Sequence, residues 1–428
     1  MTAADPHSQA RRAGTSRRTA LQALGAGLAL GAAVWPRSAA AQSYQLRLAA
    51  LSAQRIPAQA VIDRFVAKYP GSSVNMTAAD IDQLYTSTRV SLAAGTAAEV
   101  LTVQPGNGNP ITIGQLNRFI GDLSGFPFAP KIPKSLDALV RFDGRLLMLP
   151  IVLSTIGGIY PTKTFESRGW TLPRTWTEFL ALCEKIKASG MIPIAAGNGT
   201  NWVNQLITYA LLPSIVYADN PNFNEDRRAG KVKFATSGWK EALNKYLELQ
   251  KLGFLSPNPN GTSIDEQLQM VASGKAAMAI VTSGNLANMF KFAGHRDFAI
   301  MPIPASSDAN KFWTTASAST GYAINAKAAG SEAARAFMNF LAEPDSVNVF
   351  ASAAVSPTVL PSAPNPEVDR IFRSWSELFR AGRTTPYPDF TWPNPRAQQI
   401  HNAGIQELLA GKTTVDDVLR RMDEAYDA

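Results

Sequence analysis

At 428 residues, 46% of them hydrophobic and 17% charged, the chain can build one large or two medium domains with buried cores, which excludes global disorder. A single cysteine, Cys183, excludes an internal disulfide framework or multi-cysteine metal site, and three histidines (His7, His295, His401) leave no histidine-rich centre, so neither metal nor cofactor is expected. The formal charge of +8 would suit an anionic polymer if it lay on a folded surface, but half of it sits in residues 1–41, where Arg11, Arg12, Arg17, Arg18 and Arg37 face only Asp5. No run of five like charges follows, and no nucleic-acid partner is expected.

Residues 1–41 read as an export leader. A basic segment precedes the apolar stretch from Ala20 to Trp35, and Ala39-Ala40-Ala41 before Gln42 supplies a small-residue cleavage site. The apolar stretch falls short of the ~20 residues that span a bilayer. Ser16-Arg17-Arg18-Thr19-Ala20-Leu21 has the form of a twin-arginine signal, against an ordinary secretory signal with incidental arginines. No cysteine follows to accept a lipid, so a free, monomeric protein of the periplasm is expected.

From Tyr44 onward, short apolar strands alternate with amphipathic helices, the pattern of an α/β chain. Leu46 to Leu51 predicts a strand; Val61, Ile62, Phe65, Val66 and Tyr69 share one helix face, stopped by Pro70-Gly71. A strand near Val74 to Thr77 leads to a helix over Asp82 to Ala94, and Val100 to Val103 reads as a buried strand. The loop from Gln104 to Pro110 then lies at a strand's carboxyl end, where open α/β sheets hold ligands, or is a plain turn. Thr175 caps a helix with Glu178 three residues on; Trp176, Phe179, Leu180 and Cys183 share its apolar face and belong to the core. Strands follow at Ala277 to Val281, Phe298 to Pro302 and Tyr322 to Asn325. Helices start at Ser331, Asp345, Pro366, Arg396 and Thr414, the last with Val415, Val418, Leu419 and Met422 inward. The proline-rich passages Ser356 to Pro366 and Pro386 to Pro395 are expected to form crossovers or site loops.

No catalytic set emerges. The chain lacks G-x-S-x-G, H-E-x-x-H and the G-x-x-x-x-G-K-[ST] phosphate loop, and Gly106-Asn107-Gly108 is too short for a phosphate cradle. His295 and His401 read as surface residues, and Asp416-Asp417 and Asp423-Glu424 as a solvated helix face. The chain is expected not to be an enzyme.

Five segments, in order, resemble the extracellular solute-binding proteins of ABC importers, the family that includes maltose-binding protein and other carbohydrate receptors. They are Arg141-Phe142-Asp143-Gly144-Arg145-Leu146-Leu147-Met148-Leu149-Pro150; Tyr160 to Phe165 with Leu172-Pro173-Arg174-Thr175-Trp176-Thr177-Glu178-Phe179; Ser273-Gly274-Lys275-Ala276-Ala277-Met278-Ala279-Ile280; Gly321-Tyr322-Ala323-Ile324-Asn325; and Gly411 to Leu419. The resemblance implies an α/β, two-lobed type II periplasmic-binding-protein fold, with mostly parallel central sheets flanked by helices and a ligand cleft between lobes. It also implies a small-molecule ligand, most simply a carbohydrate, and the transmembrane subunits of an ABC permease as partner. Lobe 1 would comprise 42–152 plus 318–355 and lobe 2 153–317 plus 356–428, hinged at Pro150 to Ile156, Ser317 to Thr320 and Ala354 to Leu360.

Carried over by position, the ligand-binding candidates are Ser52, Gln54 and Arg55 after the first strand; Gln104 and Asn107 after the third; Asn201 and Trp202; Ser283; Trp313; and Trp392, the expected stacking tryptophan. The chain departs from the family where many members carry glycine-x-tryptophan, having Thr282-Ser283-Gly284-Asn285. It has Ala98-Glu99-Val100 for proline-aspartate-valine, and Ser154 near the crossover carboxylate of maltose-binding protein. A sugar acid using Arg55, glycerol phosphate or a polyamine therefore stands beside a sugar as ligand, and a secreted glycan hydrolase or a receptor feeding a chemosensor as alternative roles.

Overall fold

The computed structural model describes residues 42–318 and 320–428; the leader read over 1–41, its cleavage site and Ser319 of one expected hinge lie outside these residues. Eight strands form two four-stranded sheets. The first holds β1 (Gln45–Leu51), β2 (Ser73–Ala79), β3 (Val100–Val103) and, from far along the chain, β8 (Gly321–Ile324), in the order β8-β3-β1-β2. The second holds β4 (Ile156–Pro161), β5 (Ile192–Ala195), β6 (Ala276–Thr282) and β7 (Phe298–Met301), in the order β7-β4-β6-β5.

In each sheet three strands run one way and one runs back. In the first sheet the reversed strand is β8 at the edge, so β1, β2 and β3 pair in parallel. In the second it is β4, inside the sheet, so two of the three pairings there are antiparallel.

Helices form where the spacing placed them after the first two strands, after Thr175 and at the C-terminal end, whereas the spacing did not mark the helices at Leu206–Leu212, Trp239–Lys251 and Ile264–Ala272 or the strands at Ile156–Pro161 and Ile192–Ala195. The first two, α1 (Arg55–Lys68) and α2 (Ile81–Ala94), connect the parallel strands β1 to β2 and β2 to β3. Phe65 of α1 is fully buried against Tyr44, Phe337 and Phe340, and Gly95 ends α2 in the left-handed region at φ 75°. In α3 (Trp176–Ala188), Thr175 accepts from the Glu178 amide, and Trp176, Phe179 and Cys183 are buried. Around the second sheet lie α4 (Leu206–Leu212), α5 (Trp239–Lys251) and α6 (Ile264–Ala272), joined by two C-terminal helices, α7 (Arg396–Leu409) and α8 (Val415–Asp427). Among the described residues no helix is long and apolar enough to cross a membrane.

The three expected crossover segments lie side by side. Leu153–Ser154 pairs antiparallel with Ser317–Ala318, the Leu153 amide donates to the Pro357 carbonyl at 2.8 Å, and Val152 bridges to Thr358. Hydroxyls fill the space between strands. Ser154 meets Tyr387 at 2.8 Å and Ser283 at 3.4 Å, and the Ile156 amide donates to Thr315 at 2.7 Å.

Two surface assignments are corrected. His401 is fully buried, its ring stacked 5.7 Å from Tyr209 and edge-on to Trp239 at 5.6 Å. Asp423 is buried too, paired with Arg227 at 3.1 Å and accepting from the Phe234 and Ala235 amides. Both lie on the inward stripes of their helices, four residues from Ile405 and Leu419 respectively. His295, Asp416 and Glu424 are exposed.

Candidate functional site

A polar cluster forms where the loops after β1 and β3 meet the Tyr387 to Pro393 segment. On the first-sheet side, Gln54 is buried: its amide donates to the Thr320 carbonyl at 3.1 Å and accepts from Thr102 at 3.4 Å. Gln104 accepts from the Tyr85 hydroxyl of α2 at 3.5 Å and from the Asn109 amide. Tyr85 and Gln104 each keep part of their surface exposed.

Opposite stands Asp389, 3% exposed, in the turn Pro388–Thr391. Gln398 of α7 donates to it at 2.7 Å and, with its other amide proton, to Gln205 at 3.0 Å. The Tyr209 hydroxyl of α4 faces the carboxylate without reaching hydrogen-bond geometry. No lysine or arginine pairs with Asp389 among the described residues. Burial therefore pushes its carboxyl up from the usual range to about 7. Burial also raises the hydroxyls of Tyr85, Tyr209, Tyr217 and Tyr387, with Asp389's charge adding to each.

The two sides touch through backbone. The Asn107 amide donates to the Phe390 carbonyl at 2.9 Å and its side chain to the Pro393 carbonyl at 2.7 Å. Gly106, at φ 74°, and Gly108 leave room for this: a methyl at either would overlap the Phe390 or Asp389 carbonyl. These glycines thus serve close backbone approach. Gly106→Ala should cost about 3 kcal/mol, combining left-handed strain with overpacking, as read by urea unfolding.

Of the ten positional candidates, the structure brings Gln54, Gln104, Asn107 and Ser283 to this junction, the Ser283 hydroxyl meeting that of Ser154 at 3.4 Å and accepting from the Thr155 amide at 3.2 Å. Ser52 is half-buried beside Gln54; Arg55 and Asn201 are exposed, and neither takes part in the cluster. Trp202 is half-buried in the turn that carries Gln205, and Trp313 is half-buried with its backbone held by Ser214. Trp392 is corrected outright: at 1% exposure its ring is enclosed by Phe234, Trp239 and Tyr426 at 5.3, 5.7 and 6.4 Å, so it packs the core and has no open face for a ligand.

Sequence reasoning missed Tyr85, Asn109, Gln205, Tyr209, Tyr387, Asp389 and Gln398. The signal for Asp389 was present, an acid between aromatics in the proline-rich passage marked as a site loop, but Trp392 three residues on drew the assignment. A depression of about 600 Å³ on α5, lined by Lys240, Glu241, Lys245 and Glu248 among others, includes none of these residues and is a charged helix surface.

Comparison with known proteins places the chain. The model of the family described as bacterial extracellular solute-binding protein matches residues 52–348. An uncharacterized ABC transporter extracellular-binding protein of Pyrococcus horikoshii is 22% identical over 69% of this chain and 65% of its own length. A probable sugar-binding periplasmic protein of Rhizobium meliloti is 25% identical over 42% of this chain and 43% of its own. The chain thus spans less than two thirds of the length of these relatives. Among solved structures, a chitin oligosaccharide binding protein (19% identity, TM-score 0.75) and the solute-binding protein RafE in complex with raffinose (17%, 0.75) each align over 90% of this chain and 98% of theirs. At such identities they share its fold, the two-lobed type II arrangement. With its family model covering more than half of its length, the chain belongs to the bacterial extracellular solute-binding proteins.

Proposed function

We propose that this protein is the exported receptor of an ABC importer, which captures a carbohydrate between two lobes and delivers it to the membrane permease. The lobes are 42–152 plus 318–355 and 153–317 plus 356–428, and the receptor acts as a monomer in the periplasm after loss of a twin-arginine leader. The observation that carries this reading is the cluster at the junction: the partly exposed Tyr85, Gln104 and Gln398, backed by the buried Asp389, supply a ring face and planar hydrogen-bonding groups, the chemistry that holds sugar rings and hydroxyls. Family membership and sugar-binding relatives support it. Turnover of a glycoside by the purified protein would favour a hydrolase, which needs a pair of carboxylates, over this reading.

A thermal-shift screen against mono- and oligosaccharides, sugar acids, glycerol phosphate and polyamines tests the reading, since a ligand that binds only the folded state raises the melting temperature. A response confined to non-sugars would sink the carbohydrate assignment. For a sugar hit, Tyr85→Ala should weaken binding by roughly 10- to 100-fold in calorimetric titration, the loss of one aromatic contact with its hydroxyl. Trp392→Ala should instead lower stability by about 3–5 kcal/mol, as a core deletion does.

A further inference from the structure

We propose that Asp389 makes this site selective for ligand charge: it accepts uncharged and amine-bearing sugars and rejects uronic acids and sugar phosphates. The inference rests on the carbohydrate reading above and narrows it. Asp389 is buried, held by the single amide of Gln398, and lacks the cationic partner that buried carboxylates ordinarily have. Gln398 keeps part of its surface exposed and donates to the Asp389 carboxylate at 2.7 Å, so a ligand bonded to Gln398 comes within a few ångströms of that charge. An anion there would meet unscreened repulsion, whereas a protonated amine would supply a counter-ion. Arg55, the one cation offered for an acidic ligand, is exposed and outside the cluster.

The tyrosines, amides and buried histidine near Asp389 do not change charge between pH 5.5 and 7.5. Tyr85, Tyr209, Tyr217 and Tyr387 have raised hydroxyls and stay neutral. Gln104, Asn109, Gln205 and Gln398 do not titrate. On α7, His401 is pushed down to about 3 by burial and is neutral, and Arg396 is exposed. On α2, Asp82 is exposed, and Arg228 donates to the Thr391 carbonyl at 3.0 Å. Asp389 is then the group whose protonation changes the site.

Calorimetric titration of the purified protein at pH 7.5 and 5.5 decides the matter. The probes are glucose, glucosamine and glucuronic acid; galactose, galactosamine and galacturonic acid; and diacetylchitobiose, chitobiose and digalacturonic acid. At pH 7.5 the acid of a bound sugar should bind roughly 100-fold or more weakly than the neutral form, and at pH 5.5 that gap should narrow as Asp389 takes up a proton. Asp389→Asn should close the gap at both pH values and weaken the amine form. A neutral sugar and its acid binding equally to the unaltered protein at pH 7.5 would overturn the inference while leaving the carbohydrate reading intact. Silence from every sugar, neutral, basic and acidic, would overturn both. The pH comparison on the unaltered protein holds even if the variant folds poorly.

Discussion

Replacing Asp423 with alanine is expected to lower the unfolding free energy by about 3–5 kcal/mol, read from urea denaturation followed by tryptophan fluorescence. The Arg227 guanidinium is 2% exposed, bonded to Asp423 at 3.1 Å and Asp427 at 2.7 Å, and lies 4.1 Å from the Tyr426 ring centre. Asp423 also accepts from the backbone amides of Phe234 (2.8 Å) and Ala235 (3.1 Å). The variant leaves a buried cation with only the half-exposed Asp427, and strands two amides. Arg227→Met combined with Asp423→Leu should regain part of the loss, because apolar groups replace the charges but cannot accept those two bonds. A loss under about 1 kcal/mol in the single variant would show that water reaches the guanidinium.

The second large effect is in pH. Asp389 has its carboxyl raised to about 7, above the ordinary 3.8, by burial. From about pH 4 to 7 the unfolded chain ionises while the folded one holds its proton, so this group lowers stability as pH rises, by roughly 4 kcal/mol in all. His401 is pushed down to about 3 from 6.5 by burial. As pH falls from 6.5 toward 3 the unfolded chain takes up a proton that the folded chain refuses, so stability falls with pH by a similar roughly 4–5 kcal/mol. The two slopes oppose one another between about pH 4 and 6.5. His401→Phe, which keeps the stack on Tyr209, should expose the Asp389 slope and give a protein that weakens as pH rises. Asp389→Asn should expose the other and give one that strengthens with pH and exceeds the unaltered protein at pH 8. Melting temperatures across pH 4–8 would check both; parallel profiles for the two variants would refute the assignment.

The gain expected from Asp389→Asn at pH 8 has a functional sense. A buried carboxylate with no cationic partner among the described residues lowers stability, a cost that a ligand-binding role of the kind proposed above would account for.

Local signals made most of the elements legible. Thr175 with Glu178, the apolar stripe of α1 and the continuous run Val100 to Val103 are each decided by neighbours in sequence. Burial of polar residues was less legible. His401 and Asp423 stand on the apolar stripes of α7 and α8, yet their polarity suggested solvent. Only partners far along the chain, Tyr209 and Trp239 for one and Arg227 for the other, cover them. Trp392 shows the converse: an aromatic at the family's stacking position packs a core here because Phe234, Trp239 and Tyr426 converge on it.

The amino-acid sequence by itself determined the family and many of the strands and helices, because periodicity, caps and motifs are read over a few residues. Whether a side chain meets a ligand depends on contacts between segments hundreds of residues apart, and these the tertiary structure decided. Gln54 bonds to Thr320, Asn107 to Pro393, and Gln398 joins Asp389 to Gln205, each linking groups that no local pattern places together.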